Sequence, residues 1–219
     1  IAAANFPLIR QFKVPHVTNS KPQKDLPGDW TVCSPATAGN FTGVGYHFGL
    51  ELFKKLNVPI GLVNTSWGGT RIEPWTDPEG FKVSAELKDI SELIANADSV
   101  NRQSQVAKLD QLEAWVKQSG EALGKGAEFP TFPGGPPDHP LNGSGRPTSI
   151  YNAMVGPLVP YGIRGAIWYQ GESNNGEGML YFEKMKALIG SWRRLWGQGD
   201  FPFLFVQLAP YAYDRAKNT

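Results

Sequence analysis

The sequence is poor in cysteine. Cys33 is the only cysteine in 219 residues, which excludes a framework of internal disulfides and a zinc site built from cysteines. No apolar stretch approaches the roughly 20 residues that a membrane-spanning helix needs. Neither sign of charge is in excess, since 21 lysines and arginines stand against 20 aspartates and glutamates. No basic run alternates with aromatic residues, so the composition indicates neither nucleic acid nor an anionic membrane as a partner.

Aromatic residues are plentiful, with seven Trp, seven Tyr and twelve Phe. Such side chains pack cores and also line sugar-binding clefts, so their number favours a carbohydrate ligand without establishing one. The length allows one domain with a substantial core, and we predict a single domain over residues 1–219. The chain begins with Ile1 rather than Met and shows no signal-peptide pattern. We expect this domain to be truncated at both ends.

Short apolar runs alternate with segments of helical periodicity, which predicts an α/β fold around a parallel sheet. In the helix over 42–56, the repeat of Val44, Phe48, Leu52 and Leu56 predicts a buried stripe. Residues 84–120 are expected to form a helical hairpin, broken near Asp98 and inserted between two strands. Residues 127–148 form a loop rich in Pro and Gly. Predicted strands cover 8–14, 30–33, 60–63, 165–169 and 201–208, and the other predicted helices cover 149–158 and 181–196.

A group of polar side chains follows the strand predicted at 165–169. Gln170, Glu172, Ser173 and Asn174 come directly after it, with Gly171 allowing a tight turn. The carboxyl edge of a parallel sheet is where α/β enzymes place their chemistry. Because burying these groups unpaired is costly, the edge either opens on a ligand cleft or holds a structural polar network, and we favour the cleft.

A second polar turn follows the strand predicted at 60–63. Its segment, Asn64-Thr65-Ser66-Trp67-Gly68-Gly69-Thr70, places a serine beside two glycines, whose backbone N–H groups a ligand can approach closely. This arrangement suits acyl transfer, either as a nucleophile turn or as half of an oxyanion hole. The nucleophile pattern Gly-x-Ser-x-Gly is not met, because Asn64 replaces the first glycine. A plain tight turn is the structural alternative.

These two stretches together resemble the sialate O-acetylesterase family of carbohydrate esterases, within the SGNH (GDSL-like) hydrolases. The likeness extends over nearly the whole chain, and the Trp-Tyr-Gln-Gly-Glu-Ser segment is its most specific part. The matching segments are 59–70 with Glu73 and Trp75, 163–174, 151–154 (Tyr-Asn-Ala-Met), 201–203 (Phe-Pro-Phe) and 5–10 (Asn-Phe-Pro-Leu-Ile-Arg).

The resemblance implies an SGNH-hydrolase-like, doubly wound α/β/α sandwich and a serine-dependent hydrolysis of acetyl esters on sugars, with no metal or cofactor. It assigns Gly69 and Gln170 to the oxyanion hole and makes Glu172 the carboxylate that holds this loop in place. The resemblance also predicts a periplasmic or secreted location for the protein. We predict that four residues contact an acetylated carbohydrate substrate. These residues are Ser66, Trp67, Gly68 and Glu73.

The family's nucleophile segment, Gly-Gln-Ser-Asn, does not occur in this sequence, and neither does its Asp-x-x-His segment. We therefore expect the nucleophile and its His and Asp partners to lie outside residues 1–219. In a variant of this hypothesis, Ser66 is the nucleophile and His47 or His139 its base.

Two other functions stay open at this point. Glu73 and Glu172 each follow a strand and could be the two carboxylates of a glycoside hydrolase. Alternatively, because the sequence lacks the family's triad segments, the protein could be a non-catalytic carbohydrate-binding module.

Overall fold

A computed structural model describes residues 3–209 of the chain. These described residues contain five strands and three α-helices, whereas the helix predicted at 149–158 is an irregular stretch of π- and 3₁₀-helix. The elements are β1 (Phe6–Lys13), β2 (Trp30–Cys33), α1 (Gly43–Leu56), β3 (Ile60–Asn64), α2 (Lys88–Gly124), β4 (Ala166–Trp168), α3 (Met179–Trp196) and β5 (Phe203–Phe205). Short 3₁₀-helices lie between them, at Glu73–Trp75, Pro78–Val83, Ala85–Leu87, Gly156–Leu158 and Glu172–Asn174, and a short π-helix lies at Tyr151–Val155.

The strands of the described residues form two sheets rather than one. In the first, β1 lies between β2, which is antiparallel to it, and β3, which is parallel. In the second, β4 and β5 are parallel. Strand β2 is antiparallel because residues 14–29 contain no helix, and a parallel connection needs a crossover, usually a helix. The parallel pairs and intervening helices agree with the predicted α/β class.

Helix α1 has the predicted length, but the prediction of its buried face is wrong. Val44, Phe48 and Leu56 are exposed, whereas Tyr46, Leu50 and Phe53 pack against the core of the first sheet. A Cβ added at Gly49 would lie 3.2 Å from the side chains of Ile60 and Leu62. Gly49 therefore lets the helix lie close against β3, and the buried apolar stripe is offset by two residues from the predicted one.

Helix α2 is continuous over 37 residues, so the predicted hairpin with a break near Asp98 is wrong. No Gly or Pro interrupts residues 84–119, and nothing at Asp98 prevents a helical backbone. The apolar face changes because the first part of the helix packs, through Ile90 and Ile94, against a cluster formed by Phe81, Leu87 and Ala187. Farther along, Leu109 and Val116 are exposed.

The Pro/Gly-rich segment, residues 127–147, runs back along α2. Three α2 side chains donate hydrogen bonds to carbonyl oxygens of prolines in this segment. The bonds are Trp115 Nε1 to Pro130 O at 2.9 Å, Lys108 Nζ to Pro133 O at 2.6 Å and Gln105 Nε2 to Pro137 O at 3.0 Å. The segment is therefore an ordered strap along the helix.

The main core lies beneath the carboxyl ends of the strands. It joins α3 to the turn at 151–155 and to the segment that follows β3, and its fully or nearly buried members include Val14, Ile72, Trp75, Ile150, Met154, Leu188, Trp192 and Phe203. Strand β5 is less buried than its apolar sequence predicts, since Leu204 and Phe205 are exposed. The described core thus supports the two polar loops from below and leaves the outer face of the second sheet open.

Candidate active site

The two polar segments singled out in the sequence lie side by side. We call residues 65–72 the β3 loop and residues 169–178 the β4 loop. Although β3 and β4 belong to different sheets, four hydrogen bonds and an ion pair between Arg71 and Glu177 join the loops, so the carboxyl ends of both strands form one edge. The bonds run from Ser173 Oγ to Gly69 O, from Gln170 Nε2 to Thr70 O, from an Arg71 guanidinium nitrogen to Ser173 O and from Ile72 N to Asn174 Oδ1, each at 3.0 Å.

The β3 loop presents two backbone N–H groups at this edge. Gly68 and Gly69 are exposed, and no acceptor within residues 3–209 bonds to either N–H group. Gly69 has a φ of +76°, a conformation that favours glycine. A Cβ added at Gly69 would meet nothing within 4 Å, so the space in front of the loop is open. The glycine is required for its backbone conformation, which holds an unbonded donor at an accessible edge.

Ser66 is exposed, and its own strand fixes its orientation. Both its N–H, at 3.0 Å, and its Oγ, at 2.7 Å, donate to Asn64 Oδ1. No histidine of the described residues bonds to this hydroxyl. His47 lies exposed on α1 beside Tyr46, and His139 bonds to Asp98 on α2 at 2.9 Å. The structure therefore gives no support to Ser66 as a nucleophile with either histidine as its base.

A third histidine, His16, does contact the β3 loop, and the sequence interpretation missed it. Its ring stacks on Trp67 with centroids 4.4 Å apart and planes at 7°. His16 Nε2 donates to the Ser66 carbonyl oxygen at 2.9 Å. The position of His16 could have indicated this contact. His16 follows the end of β1, and β1 and β3 are parallel neighbours whose carboxyl ends lie at the same edge of the sheet. Trp67, a predicted substrate contact, thus has one ring face covered by His16.

The side chain of Gln170 makes hydrogen bonds with both ends of its amide. Nε2 donates to Thr70 O at 3.0 Å and to Asn174 Oδ1 at 2.8 Å, and Oε1 accepts from the Tyr181 hydroxyl at 2.9 Å. Both amide hydrogens are therefore used within the protein. In this structure Gln170 supports the β3 loop next to Gly69, and its predicted bond to an oxyanion stays a prediction.

Glu172 does not hold the β4 loop in place, in contrast to its predicted role. Its side chain is exposed and forms no hydrogen bond or ion pair with any residue of the described range 3–209. Asn174 has that role instead. It is 3% exposed, and its amide contacts both loops.

Glu73, predicted to contact substrate, lies in a buried group of charges. We call Arg71, Glu73, Asn174, Glu177 and Lys184 the polar cluster. Lys184 Nζ donates to Glu73 Oε1 at 2.6 Å and to Glu177 Oε2 at 2.8 Å. Arg71 donates to both carboxylates, with 3.0 Å to Glu73 Oε1. Two cations thus neutralise two carboxylates beneath the loops.

The polar cluster determines the ionisation of Glu73. Burial by itself raises the pKa of this carboxyl, but hydrogen bonds from Arg71 and Lys184 outweigh burial and lower the pKa to about 2. A carboxylate that stays ionised to such low pH cannot be the general acid of a glycosidase, which needs a raised pKa. Nor is its carboxylate free to act as nucleophile or base, because Arg71, Lys184 and Asn174 all donate to it, so the pair Glu73 and Glu172 receives no support as glycosidase carboxylates.

Two tryptophans near the site belong to the core. Trp75 is almost fully buried, and its Nε1 donates to Thr70 Oγ1 at 3.0 Å. Trp168 packs edge-on against Trp75, with centroids 6.0 Å apart. Both rings thus fix the base of the β3 loop.

Within residues 3–209, no three His, Cys, Asp or Glu side chains are grouped so as to hold a metal ion. None of the helices over the same range is at once long enough and apolar enough to cross a bilayer.

Comparison with known proteins points to one family. A family model described as "Carbohydrate esterase, sialic acid-specific acetylesterase" matches residues 143–219. The chain is 30% identical over 224 residues to the sialate O-acetylesterase of Rattus norvegicus, covering 95% of this chain and 38% of that protein. It is 29% identical to the Homo sapiens protein of the same name over 176 residues, covering 77% of this chain and 25% of that protein.

Comparison with a crystal structure also shows similarity to a carbohydrate acetylesterase. A carbohydrate acetylesterase from Xanthomonas citri matches with a TM-score of 0.65 and 33% identity, covering 94% of this chain and 35% of that one. This match confirms the predicted α/β fold class. The chain spans 38% of the rat relative's length and 35% of the Xanthomonas chain. With its two diagnostic loops joined at one edge, the chain belongs to the sialate O-acetylesterase family of carbohydrate esterases.

Proposed function

We propose that this chain forms part of a carbohydrate O-acetyl esterase and that its β3 loop supplies the oxyanion-binding donor. The observation that carries the proposal is the unbonded N–H of Gly69, held at an exposed edge by a backbone with a φ of +76°. Oriented donors of this kind stabilise the charge that develops on a carbonyl oxygen during acyl transfer.

The reaction proceeds through an acetyl-enzyme. A serine hydroxyl attacks the acetyl carbonyl carbon while a base accepts its proton, and the carbonyl oxygen becomes an oxyanion that accepts a hydrogen bond from Gly69. Collapse breaks the ester bond, and the base returns the proton to the sugar oxygen, which leaves as a hydroxyl. Water then releases acetate from the serine. We assign the serine and its His and Asp partners to residues outside 1–219, because the family's segments for them do not occur here.

Gln170 has a supporting place in this proposal. Its Nε2 bond to Thr70 O, at 3.0 Å, fixes the residue next to Gly69 and so limits movement of the donor. For Gln170 itself to donate to the oxyanion, one of its two Nε2 bonds has to be exchanged for the ligand. Gly69 is therefore the primary donor and Gln170 the second.

The substrate class follows from the relatives, whose names specify sialate and carbohydrate acetyl esters. We propose acetylated sugars as substrates, with Ser66, Trp67 and Gly68 on the exposed side of the β3 loop nearest to them. Glu73 is left out of this contact set, because the polar cluster uses its carboxylate. A periplasmic or secreted location is proposed from the family resemblance alone.

The test uses the protein at its natural full length and measures acetate released from an O-acetylated sialic acid and from an acetylated plant polysaccharide. Gly69→Ala forces a change of φ and turns the donor away, so we expect kcat to fall by about 10²- to 10³-fold, the effect of losing one oxyanion donor. Gly126→Ala is the matched control. Gly126 also has a positive φ (+66°) and open surroundings, but it follows α2 and lies outside both loops.

We expect the control to retain kcat within about threefold, since Gly126→Ala imposes the same kind of backbone strain away from the two loops. Equal effects of the two substitutions would contradict the assignment of the donor to Gly69. Cleavage of sugar bonds without release of acetate would contradict the proposed reaction.

A further inference from the structure

Asn174 occupies the centre of the polar cluster and uses its whole hydrogen-bonding capacity. Its Oδ1 accepts from Ile72 N at 3.0 Å and from Gln170 Nε2 at 2.8 Å. Its Nδ2 donates to Glu73 Oε2 at 3.1 Å and to Glu177 Oε2 at 3.0 Å. A primary amide offers two donors and two acceptor positions, so every one is used.

The neighbours of Asn174 leave its amide one orientation. A backbone N–H can only donate, so the atom that faces Ile72 must be oxygen. Ionised carboxylates can only accept, so the atom that faces Glu73 and Glu177 must be nitrogen. Glu73 is held ionised because hydrogen bonds from Arg71 and Lys184 lower its pKa to about 2, against the effect of burial.

This orientation is passed on to Gln170. Because Asn174 Oδ1 accepts from Gln170, the Gln170 atom on that side must be Nε2, and its Oε1 then faces the Tyr181 hydroxyl. The second Nε2 hydrogen points at Thr70 O, next to Gly69. If the Gln170 amide were reversed, its Oε1 would face Thr70 O and Asn174 Oδ1, and three acceptors would lie against one another.

We infer that Asn174 is a positioning residue for acyl transfer: it transmits the fixed charges of Glu73 and Glu177 to the Gln170 amide and so holds the Gly69 turn in its donor conformation. The catalytic part of this inference rests on the proposed function. Asn174 is buried beneath the loops, so it acts through Gln170 and Ile72 and does not touch the substrate.

The first test compares Asn174→Leu with Asn175→Leu in the full-length protein. Asn175 is the next residue and is exposed, so its substitution controls for a change of composition in the same loop. We expect Asn174→Leu to lower kcat by about 10- to 100-fold with KM changed less than about threefold, the pattern of an interaction that matters in the transition state. Asn175→Leu should keep both within about twofold.

The second test is a rescue, which also serves if Asn174→Leu does not fold. Asn174→Asp places a third carboxylate against Glu73 and Glu177 and should lower kcat. Adding Glu177→Gln supplies an N–H donor to the new carboxylate and should recover at least a third of the lost kcat. A double variant no more active than Asn174→Asp, or an Asn174→Leu enzyme as active as its control, would overturn the inference.

A third measurement separates this inference from the proposed function. Hydrogen exchange of the Ile72 amide reports its bond to Asn174 whether or not the protein releases acetate. We expect exchange at least tenfold faster in Asn174→Leu than in Asn175→Leu. Faster exchange in a protein that releases no acetate would support the positioning and refute the esterase proposal, and unchanged exchange would refute the positioning itself.

Discussion

Replacing Lys184 by Met tests the polar cluster on which the two loops rest. The Lys184 side chain is 3% exposed, and its Nζ bonds to Glu73 and Glu177 at 2.6 and 2.8 Å. Without this cation, Arg71 alone faces two buried carboxylates, and the cluster carries a net negative charge. Removing one partner of a buried ion pair costs about 3–5 kcal/mol, because the other partner remains buried and uncompensated.

The pKa of Glu73 gives a second measure of the same effect. Hydrogen bonds from Arg71 and Lys184 overcome the opposing effect of burial and lower it from 4.5 to about 2. At about 1.4 kcal/mol per pKa unit, this difference corresponds to about 3 kcal/mol of stability at neutral pH. Since Arg71 shares in the shift, we expect Lys184→Met to cost about 2–4 kcal/mol at pH 7.

The pH dependence of this cost has a definite sign. The folded pKa of Glu73 lies below its unfolded value, so its contribution is fully present above about pH 4.5 and is lost as pH falls towards 2. In the Lys184→Met protein the pKa of Glu73 is higher, and less stability remains to be lost. The difference between wild type and variant should therefore shrink between pH 7 and pH 3.

The assay is native-state hydrogen exchange of peptides that span residues 70–76, which gives the local free energy of opening in the full-length protein. Lys186→Met is the matched control, because Lys186 is exposed and pairs with Glu183 at the surface. Surface pairs contribute about 0–1 kcal/mol. If Lys184→Met and its control opened with free energies within about 0.5 kcal/mol of each other at pH 7, the account of the cluster would be refuted.

Two further predictions concern other parts of the chain. Trp115→Phe removes the bond to Pro130 O while leaving a ring beside Phe132, so it should cost about 0.5–1.5 kcal/mol of local stability and speed proteolysis within residues 127–147 by up to about tenfold. Substitution of the exposed neighbour, Val116→Thr, should leave the cleavage rate unchanged. Equal cleavage rates in the two variants would show that the strap does not depend on this bond. Residues 1–219 expressed alone expose Ile167, Leu204 and Phe205 on one sheet and should self-associate in sedimentation experiments; a monomer with a cooperative melt would contradict this expectation.

Local patterns predicted most of the fold. The strands at β1, β3 and β4 and the helices α1 and α3 lie within a few residues of their predicted places, because apolar periodicity and Pro or Gly boundaries are local signals. The buried face of α1 was mispredicted because the helix carries two apolar stripes, and Tyr46, Leu50 and Phe53 pack against the core instead of the predicted stripe. The continuity of α2 was missed because its apolar face shifts along the helix, with Ile90 and Ile94 packed against a core cluster and Leu109 and Val116 exposed.

The candidate site was predicted in position but not in its contacts. The sequence places Gly69 and Gln170 after two strands, and the structure brings their loops together. The sequence could not predict that Glu73 pairs with Lys184, which lies 111 residues away on α3. In the sequence, Lys184 is not distinguishable from any other lysine in a helix. The sequence likewise could not show that Asn174, rather than Glu172, holds the β4 loop, since both are polar and only burial distinguishes them.

The most direct test of the proposed oxyanion site is a crystal structure of the full-length protein after reaction with a serine-reactive fluorophosphonate. The phosphoryl oxygen of the adduct takes the place of the oxyanion. We predict that this oxygen accepts a hydrogen bond from Gly69 N at about 2.7–3.1 Å and that Ser66 is unmodified. An adduct on Ser66, or a phosphoryl oxygen directed away from the β3 loop, would contradict the assignment of this loop to the oxyanion site.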